Sequence, residues 1–173
     1  MSRDERIRVL AFVAVVALAA ALLGACGSDS GGGSDQFRDR TESPLLDFGE
    51  EGSESELEEA EETVGDFLAA HSKEDWGAIC DLLSKPMLDK LERLATNSTG
   101  LEDTSCPAFL EAFAVLSPQE KREGAEIEAG SLRHQGAKGY LLYSGSGEAV
   151  YAMPLDQQGG EWRVAAISAQ RLG

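Results

Sequence analysis

The spacing of apolar residues changes near residue 125, and this change limits the folds that the chain can adopt. Before that point apolar residues recur every three or four positions, as on one face of a helix. After it they alternate with polar residues, as in Ala125-Glu126-Ile127-Glu128-Ala129. Helices followed by strands with short connections predict an α+β fold, in which helices cover one face of an antiparallel sheet.

The helical half begins with a strong start signal. Ser53 and Glu56 have the spacing of a capping box, and the apolar residues that follow predict a helix over residues 54–71. Ser72 and Asp75 have the same spacing and predict a second box before a short helix that starts near Trp76. Further helical spacing covers residues 87–95, 109–116 and 117–120.

The second half predicts four strands that form an antiparallel meander. Their ranges are 125–129, 139–144, 148–155 and 161–170, and glycine-containing turns separate them. The acidic residues Glu148, Asp156 and Glu161 fall at strand ends. No acid is therefore expected in the middle of the face that meets the helices.

The first 25 residues are typical of a secretory signal. Arg3, Arg6 and Arg8 precede an apolar run from Val9 to Leu23, which is shorter than the ~20 residues of a membrane span. The sequence Leu23-Gly24-Ala25-Cys26 resembles the bacterial lipobox, in which the cysteine carries diacylglycerol and becomes the mature N-terminus.

This resemblance predicts a lipid-anchored protein on the extracytoplasmic face of the cell membrane. Cys26 is the expected lipidation site, with acyl chains such as palmitate holding the protein in the bilayer. The alternative is an ordinary secretory signal cut near Ala25, which would leave Cys26 as a plain thiol.

Residues 26–52 are predicted to be a flexible, acidic, Gly/Ser-rich tether. As a random coil this segment would have an r.m.s. length of about 30 Å. Isolated apolar residues such as Phe37 and Leu46 lack a period and indicate at most a short docking patch. Residues 53–173 are long enough for one folded domain.

The charge of the chain excludes two classes of partner. The whole sequence carries a formal charge of −16, and loss of three basic and two acidic residues with positions 1–25 makes it −17. Nucleic acids and anionic lipid surfaces need a Lys/Arg-rich face, so neither is an expected partner of the polypeptide. A basic protein of the cell envelope fits this charge.

Cys80 and Cys106 remain after the anchor is assigned. In a chain that leaves the reducing cytoplasm, such a pair predicts a disulfide. The alternative is a catalytic or metal-binding thiol. The sequence has no Cys-x-x-Cys, and its histidines, His71 and His134, have no metal-ligand spacing, so neither a metal nor another cofactor is expected.

The chain resembles the nuclear transport factor 2-like, or cystatin-like, domains found in surface lipoproteins of high-GC Gram-positive bacteria. The resemblance rests on the order of helices and strands, on Cys106 and on four short motifs. The motifs are Lys73-Glu74-Asp75-Trp76, Cys80-Asp81-Leu82-Leu83-Ser84, Leu116-Ser117-Pro118 and Gly159-Gly160-Glu161-Trp162-Arg163-Val164. The resemblance covers residues 53–173. It implies a cone in which N-terminal helices pack on a curved four-stranded sheet and enclose a pocket.

Six apolar and aromatic residues are the expected lining of that pocket: Trp76, Leu141, Tyr143, Tyr151, Met153 and Trp162. Some relatives of the cone are isomerases or hydrolases that use buried carboxylates and tyrosines. No such carboxylate, nucleophile elbow or phosphate-binding loop is found here, so no catalytic residue is assigned.

The sequence therefore predicts a non-enzymatic, lipid-anchored binding or protein-interaction module of the cell envelope. Its partner would be either a small apolar ligand in the pocket or a basic envelope protein on the acidic surface. Two alternatives stay open. One is a pocket enzyme of the isomerase or hydrolase type, and the other is a structural accessory domain of an envelope complex.

Replacing Cys26 by serine is expected to remove the protein from the membrane fraction and to abolish its labelling by radioactive palmitate. The physical reason is that the acyl chains supply the membrane affinity. Ser28→Ala, two residues away, is the matched control and is expected to partition like the original chain. Unchanged partitioning of the Cys26→Ser protein would contradict the lipobox assignment.

Overall fold

The computed structural model describes residues 33–98, 100, 104–113, 127–145 and 149–173. Within these residues the helices are α1 (Glu54–Ser72), α2 (Trp76–Leu82), α3 (Lys85–Thr96) and α4 (Cys106–Phe113). The strands are β1 (Glu50–Glu51), β2 (Glu128–Gln135), β3 (Lys138–Ser144), β4 (Val150–Gln158), β5 (Glu161–Val164) and β6 (Gln170–Leu172). The predicted α+β class is confirmed.

The described strands form an open antiparallel sheet in the order β1-β2-β3-β4-β5, and β6 also pairs with β4. It has six strands where four were expected. The strand predicted over 161–170 is divided, because β5 pairs with the C-terminal half of β4 and β6 with its N-terminal half. The other strand that was not expected is β1, which comes from the segment that was predicted to be a tether.

The first helix follows its sequence signals closely. The Ser53 N–H donates to the Glu56 carboxylate at 2.9 Å, and the Glu56 N–H donates back to the Ser53 hydroxyl at 3.4 Å. The predicted capping box is thus confirmed. Hydrogen bonds from Ser53 stabilise the charged carboxylate and hold the pKa of Glu56 below its usual value. The apolar face of α1 buries Ala60, Val64 and Phe67 completely.

The second predicted capping box is wrong, because Ser72 still belongs to α1. The Ser72 hydroxyl donates to the carbonyl of Ala69, and α1 ends at Ser72, two residues before Glu74, which adopts the left-handed conformation at φ 58°. The Asp75 N–H then bonds back to the Ala70 carbonyl at 3.0 Å, which is one bond of a Schellman motif. Asp75 itself caps α2 by accepting from the N–H of Ala78.

A disulfide between Cys80 and Cys106 joins α2 to α4, with the two Cα atoms 6.2 Å apart. The predicted pairing is confirmed. By the chain-entropy estimate, closing a loop of this length contributes about 3 to 4 kcal/mol. The helix predicted over 117–120 lies outside the described residues.

The helix-facing side of the sheet and the described helices share one apolar core. Leu132, Leu141, Met153 and Val164 come from the strands, and residues such as Phe67 come from the helices. All five are essentially inaccessible to solvent.

The opposite face of the sheet, here called the outer face, is covered by residues 33–52, here called the strap. The sequence predicted this segment to be flexible. In the structure it contains two 3-10 helices, Ser34–Phe37 and Pro44–Asp47, followed by β1. Phe37 and Leu46 are 1% and 2% exposed and pack in a second apolar cluster. The sheet supplies Leu142, Val150, Ala152 and Leu172 to this cluster.

Polar contacts hold the strap along β2. The Arg133 guanidinium donates to the carbonyls of Phe48 and Gly49, both at 3.0 Å. One carboxylate oxygen of Glu51 accepts from the Ser34 N–H and from the Ser131 hydroxyl. The strap is therefore part of the folded unit and extends it N-terminally from the expected start at residue 53.

Phe37→Ala is expected to lower the free energy of unfolding by about 3 to 5 kcal/mol, because it removes a fully buried ring and leaves a cavity. The exposed neighbour Gln36, changed to alanine, is the matched control and is expected to shift stability by less than about 0.5 kcal/mol. Urea unfolding of both variants measures the difference. Equal stability of the two variants would show that the strap contributes nothing to the fold.

Candidate binding cleft

A cleft of about 470 Å³ opens where α1 meets β5 and the end of α2. Its lining is dominated by acidic groups: Glu59, Glu62, Thr63 and Asp66 from α1, Leu82 from α2, and Glu161, Trp162 and Arg163 from β5. Four carboxylates thus surround one guanidinium. The cleft is a candidate site for a positively charged group.

The helical repeat explains why α1 lines the cleft with polar side chains. Residues three, four and seven positions apart share one side of a helix, so Glu59, Glu62, Thr63 and Asp66 point the same way. The neighbouring side of the helix carries its buried apolar residues. The cleft therefore lies at the boundary between the core-facing and solvent-facing sides of α1.

Two hydrogen bonds attach β5 to this side of α1. The backbone N–H of Trp162 donates to a Glu59 carboxylate oxygen at 2.9 Å, and the Thr63 hydroxyl donates to the Trp162 carbonyl at 3.4 Å. Side chains of α1 therefore satisfy backbone groups of β5, which would otherwise present a free edge for pairing with another chain. Glu59 and Thr63 form the wall of the cleft and are already partnered.

The remaining charges in the cleft are unevenly balanced. Arg163 donates to the carbonyl of Asp81 at 2.9 Å and also forms an ion pair with Glu161. Its guanidinium therefore already has partners within the fold. Glu62 and Asp66 are exposed and form no ion pair with any described residue. These two carboxylates, one helical turn apart, are available to an incoming cation.

The structure brings the six expected pocket residues together in the core. Leu141, Tyr143, Met153 and Trp162 are buried, and Trp76 and Tyr151 pack against the same cluster while staying half-buried. Their side chains pack against other residues of this apolar core and contribute to its packing. A ligand pocket lined by these six residues stays a prediction.

Two contacts show how closely this group is packed. Tyr143 and Tyr151 pair across β3 and β4 with ring centroids 5.6 Å apart. The Trp162 ring lies over Gly139, where a Cβ would come within 3.1 Å of the indole. Of the six residues, Trp162 also lines the acidic cleft.

A second cavity, of about 400 Å³, lies in the strap and includes Arg38, Thr41 and Asp47 in its lining. Arg38 donates to Asp35 at 2.8 Å and to Asp47 at 2.6 Å. The hydrogen bond from Arg38 lowers the pKa of the Asp47 carboxyl. The guanidinium is therefore neutralised by its own segment, and this cavity shows no preference for an anion.

Cys26 lies outside the described residues. Within the described part of the chain, no group of three or more His, Cys, Asp or Glu side chains could hold a metal ion. The helices in that part are all too short or too polar to cross a bilayer.

The chain matches no protein-family model, no curated protein and no solved structure. What the cleft can bind must therefore be inferred from its own charges and shape.

No motif in the sequence marks the cleft residues as a site. The acidic run in α1 has the composition of a solvated helix face, and most of its members are exposed. The spacing of Glu59, Glu62 and Asp66 could have shown that they share one side of the helix. Their proximity to Glu161 and Arg163 depends on the packing of β5 against α1, about a hundred residues away along the chain.

Glu59→Ala is expected to lower the free energy of unfolding by about 1.5 to 3 kcal/mol, because it removes a charged acceptor from the Trp162 N–H. Glu62→Ala removes the same charge from the same helix without losing a described partner, and less than about 0.5 kcal/mol is expected. Thermal and urea unfolding at neutral pH measure both. Equal losses in the two variants would mean that this hydrogen bond does not hold β5 against α1.

Proposed function

We propose that the protein is a lipid-anchored, extracytoplasmic binding module, and that its cleft between α1 and β5 takes a basic group of a cell-envelope protein. The observation that carries the proposal is the pair of exposed carboxylates, Glu62 and Asp66, which have no cationic partner among the described residues. A lysine or arginine side chain of a partner would supply the missing charge.

The shape of the cleft supports a side chain or short peptide as the bound group. Its volume of about 470 Å³ lies within the range of small-ligand sites, roughly 300 to 1,000 Å³. Leu82 offers an apolar surface for the methylene groups of a long basic side chain. The carboxylates of Glu62 and Asp66 would then meet its charged end.

The charge of the whole chain supports the same class of partner. A formal charge of −16 attracts basic surfaces and raises the rate of encounter with them. Since both carboxylates are exposed, salt is expected to weaken the interaction strongly, because the Debye length at physiological ionic strength is only about 8 Å.

Anchoring through Cys26 is part of the proposal and is supported by the lipobox and the apolar run before it. The disulfide between Cys80 and Cys106 supports an oxidising compartment. The α+β architecture, with helices packed on one face of an antiparallel sheet, is compatible with a nuclear transport factor 2-like domain. We propose that family, with its cone, on the dispersed motifs that resemble it.

The double variant Glu62→Lys/Asp66→Lys is expected to bind a nona-arginine peptide about tenfold more weakly, because it converts two attractive charges into repulsive ones. The matched control is Glu54→Lys/Glu58→Lys. It makes the same change of net charge on the same helix at exposed residues outside the cleft lining. Fluorescence anisotropy at 50 and 150 mM salt gives both affinities.

The control variant is expected to lose less than about threefold, through the long-range charge alone. Equal losses in the two variants would mean that the peptide senses net charge and not the cleft. If neither variant weakens binding, the cleft is not the site. Photo-crosslinking from position 62 in whole cells would then identify the natural partner by its attached peptide.

A further inference from the structure

We infer that Arg163 makes the acidic cleft selective for a basic side chain over a divalent metal ion. This inference rests on the proposed function, because it concerns what the same cleft binds. Ca²⁺ takes carboxylate and carbonyl oxygens as ligands, so a cleft lined by four carboxylates is open to competition between such an ion and a basic partner. Arg163 is the residue of the cleft that weakens the ion in this competition.

Two groups of the fold hold Arg163 in the cleft. Its guanidinium donates to the carbonyl of Asp81 at 2.9 Å and to the carboxylate of Glu161. Asp81 lies in the last turn of α2, where carbonyls have no partner within the helix and a positive charge is stabilised. The side chain of Arg163 is 33% exposed. The fold itself therefore keeps a guanidinium in the cleft.

The two partners of Arg163 are groups that a metal ion would otherwise use. Ca²⁺ is bound by about six to eight oxygens, which come from carboxylates, backbone carbonyls and water. Glu161 and Arg163 are two residues apart on β5 and therefore point to the same face, so their ion pair is built into the strand. One carboxylate and one carbonyl of the cleft are thus already bound to a cation.

The carboxylates that remain suit a basic side chain better than a metal ion. Glu59 accepts from the Trp162 N–H, which leaves Glu62 and Asp66 on successive turns of α1. Within the described part of the chain, no three acidic, histidine or cysteine side chains are grouped so that they could hold a metal ion. An ammonium or guanidinium needs fewer partners, because one or two carboxylates satisfy it.

The charge of Arg163 acts in the same direction. Coulomb energy is proportional to the product of the two charges, so at equal distance Arg163 repels a divalent ion about twice as strongly as a lysine or arginine side chain. Specific binding sites commonly combine such a repulsive element with their attractive contacts. Arg163 therefore raises the selectivity of the cleft while it lowers the total negative charge.

The test measures how strongly Ca²⁺ competes with a nona-arginine peptide for the full-length protein in neutral detergent. Fluorescence anisotropy gives the dissociation constant of the labelled peptide in CaCl₂ and in NaCl of equal ionic strength. The quotient of the two constants, here called the calcium ratio, removes the screening that both salts share. For the original chain we expect a calcium ratio below about three, since only the general charge effects of the ion remain.

Arg163→Gln is expected to raise the calcium ratio to about ten or more, because Glu161 and the Asp81 carbonyl become available to the ion and the repulsion is lost. Arg163→Lys keeps the charge, and a ratio below about five is expected. Arg171→Gln is the matched control, since it removes the same charge from an exposed residue of β6 outside the cleft lining. Its calcium ratio is expected to match that of the original chain.

Three results would overturn the inference. The first is a calcium ratio of about ten in the original chain, a measurement that does not depend on the folding of any variant. The second is an equal ratio in Arg163→Gln and Arg171→Gln. The third is an equal ratio in Arg163→Gln and Arg163→Lys, because the selectivity would then not depend on the charge.

The double variant Glu62→Lys/Asp66→Lys separates these failures from failure of the proposed function. If it binds nona-arginine in NaCl as tightly as the original chain, the cleft is not the binding site and the proposed function is wrong. If it binds more weakly while the calcium ratios contradict the expectation, the cleft remains the site and only the role of Arg163 is wrong.

Discussion

The structure depends on covering both faces of one small sheet. Alternation places apolar side chains on each face of β3 and β4, so helices on one side leave Leu142, Val150 and Ala152 in need of a second cover. The strap provides that cover through Phe37 and Leu46. This burial offsets the conformational entropy lost when the acidic strap is ordered.

The edge strand β5 also has to be covered, because the backbone groups on its outer edge have no neighbouring strand to pair with. Glu59 accepts from the Trp162 N–H, and the N–H of Ser84 donates to the Val164 carbonyl at 2.8 Å. The Ser84 hydroxyl reaches Asp156, which is buried and also paired with Lys138. Glu59 of α1 and Ser84, the residue that precedes α3, therefore occupy backbone groups along the edge of β5 that does not pair with β4. The acidic cleft lies beside this closure and shares Glu59 with it, so part of the candidate site also stabilises the fold.

Local rules predicted the helices well and the site poorly. The start of α1 at Ser53 and Glu56 follows from a pattern four residues long, and the disulfide follows from two cysteines in a chain that was predicted to be exported. The second capping box failed because Ser72 is the last residue of α1, which ends where Glu74 adopts a left-handed conformation, and Asp75 is instead the N-cap of α2. Of the residues expected to line a pocket, Leu141, Tyr143, Tyr151, Met153 and Trp162 lie on the helix-facing side of the sheet, as a period of two along each strand predicts, whereas Trp76 lies in α2.

The sequence by itself determined the fold class, the helical and alternating halves, the cysteine pair and the negative charge, because each of these is fixed by neighbours along the chain or by composition. Only the tertiary structure decided that residues 33–52 fold and that α1 and β5 share a cleft. The residues around Phe37 show no apolar periodicity, and therefore no local pattern predicts that Phe37 is buried. Its ring occupies space beside Gly130, where a Cβ atom would overlap the ring. Such long-range fits have no local signature in the sequence, since their energy comes from surfaces that meet only after folding.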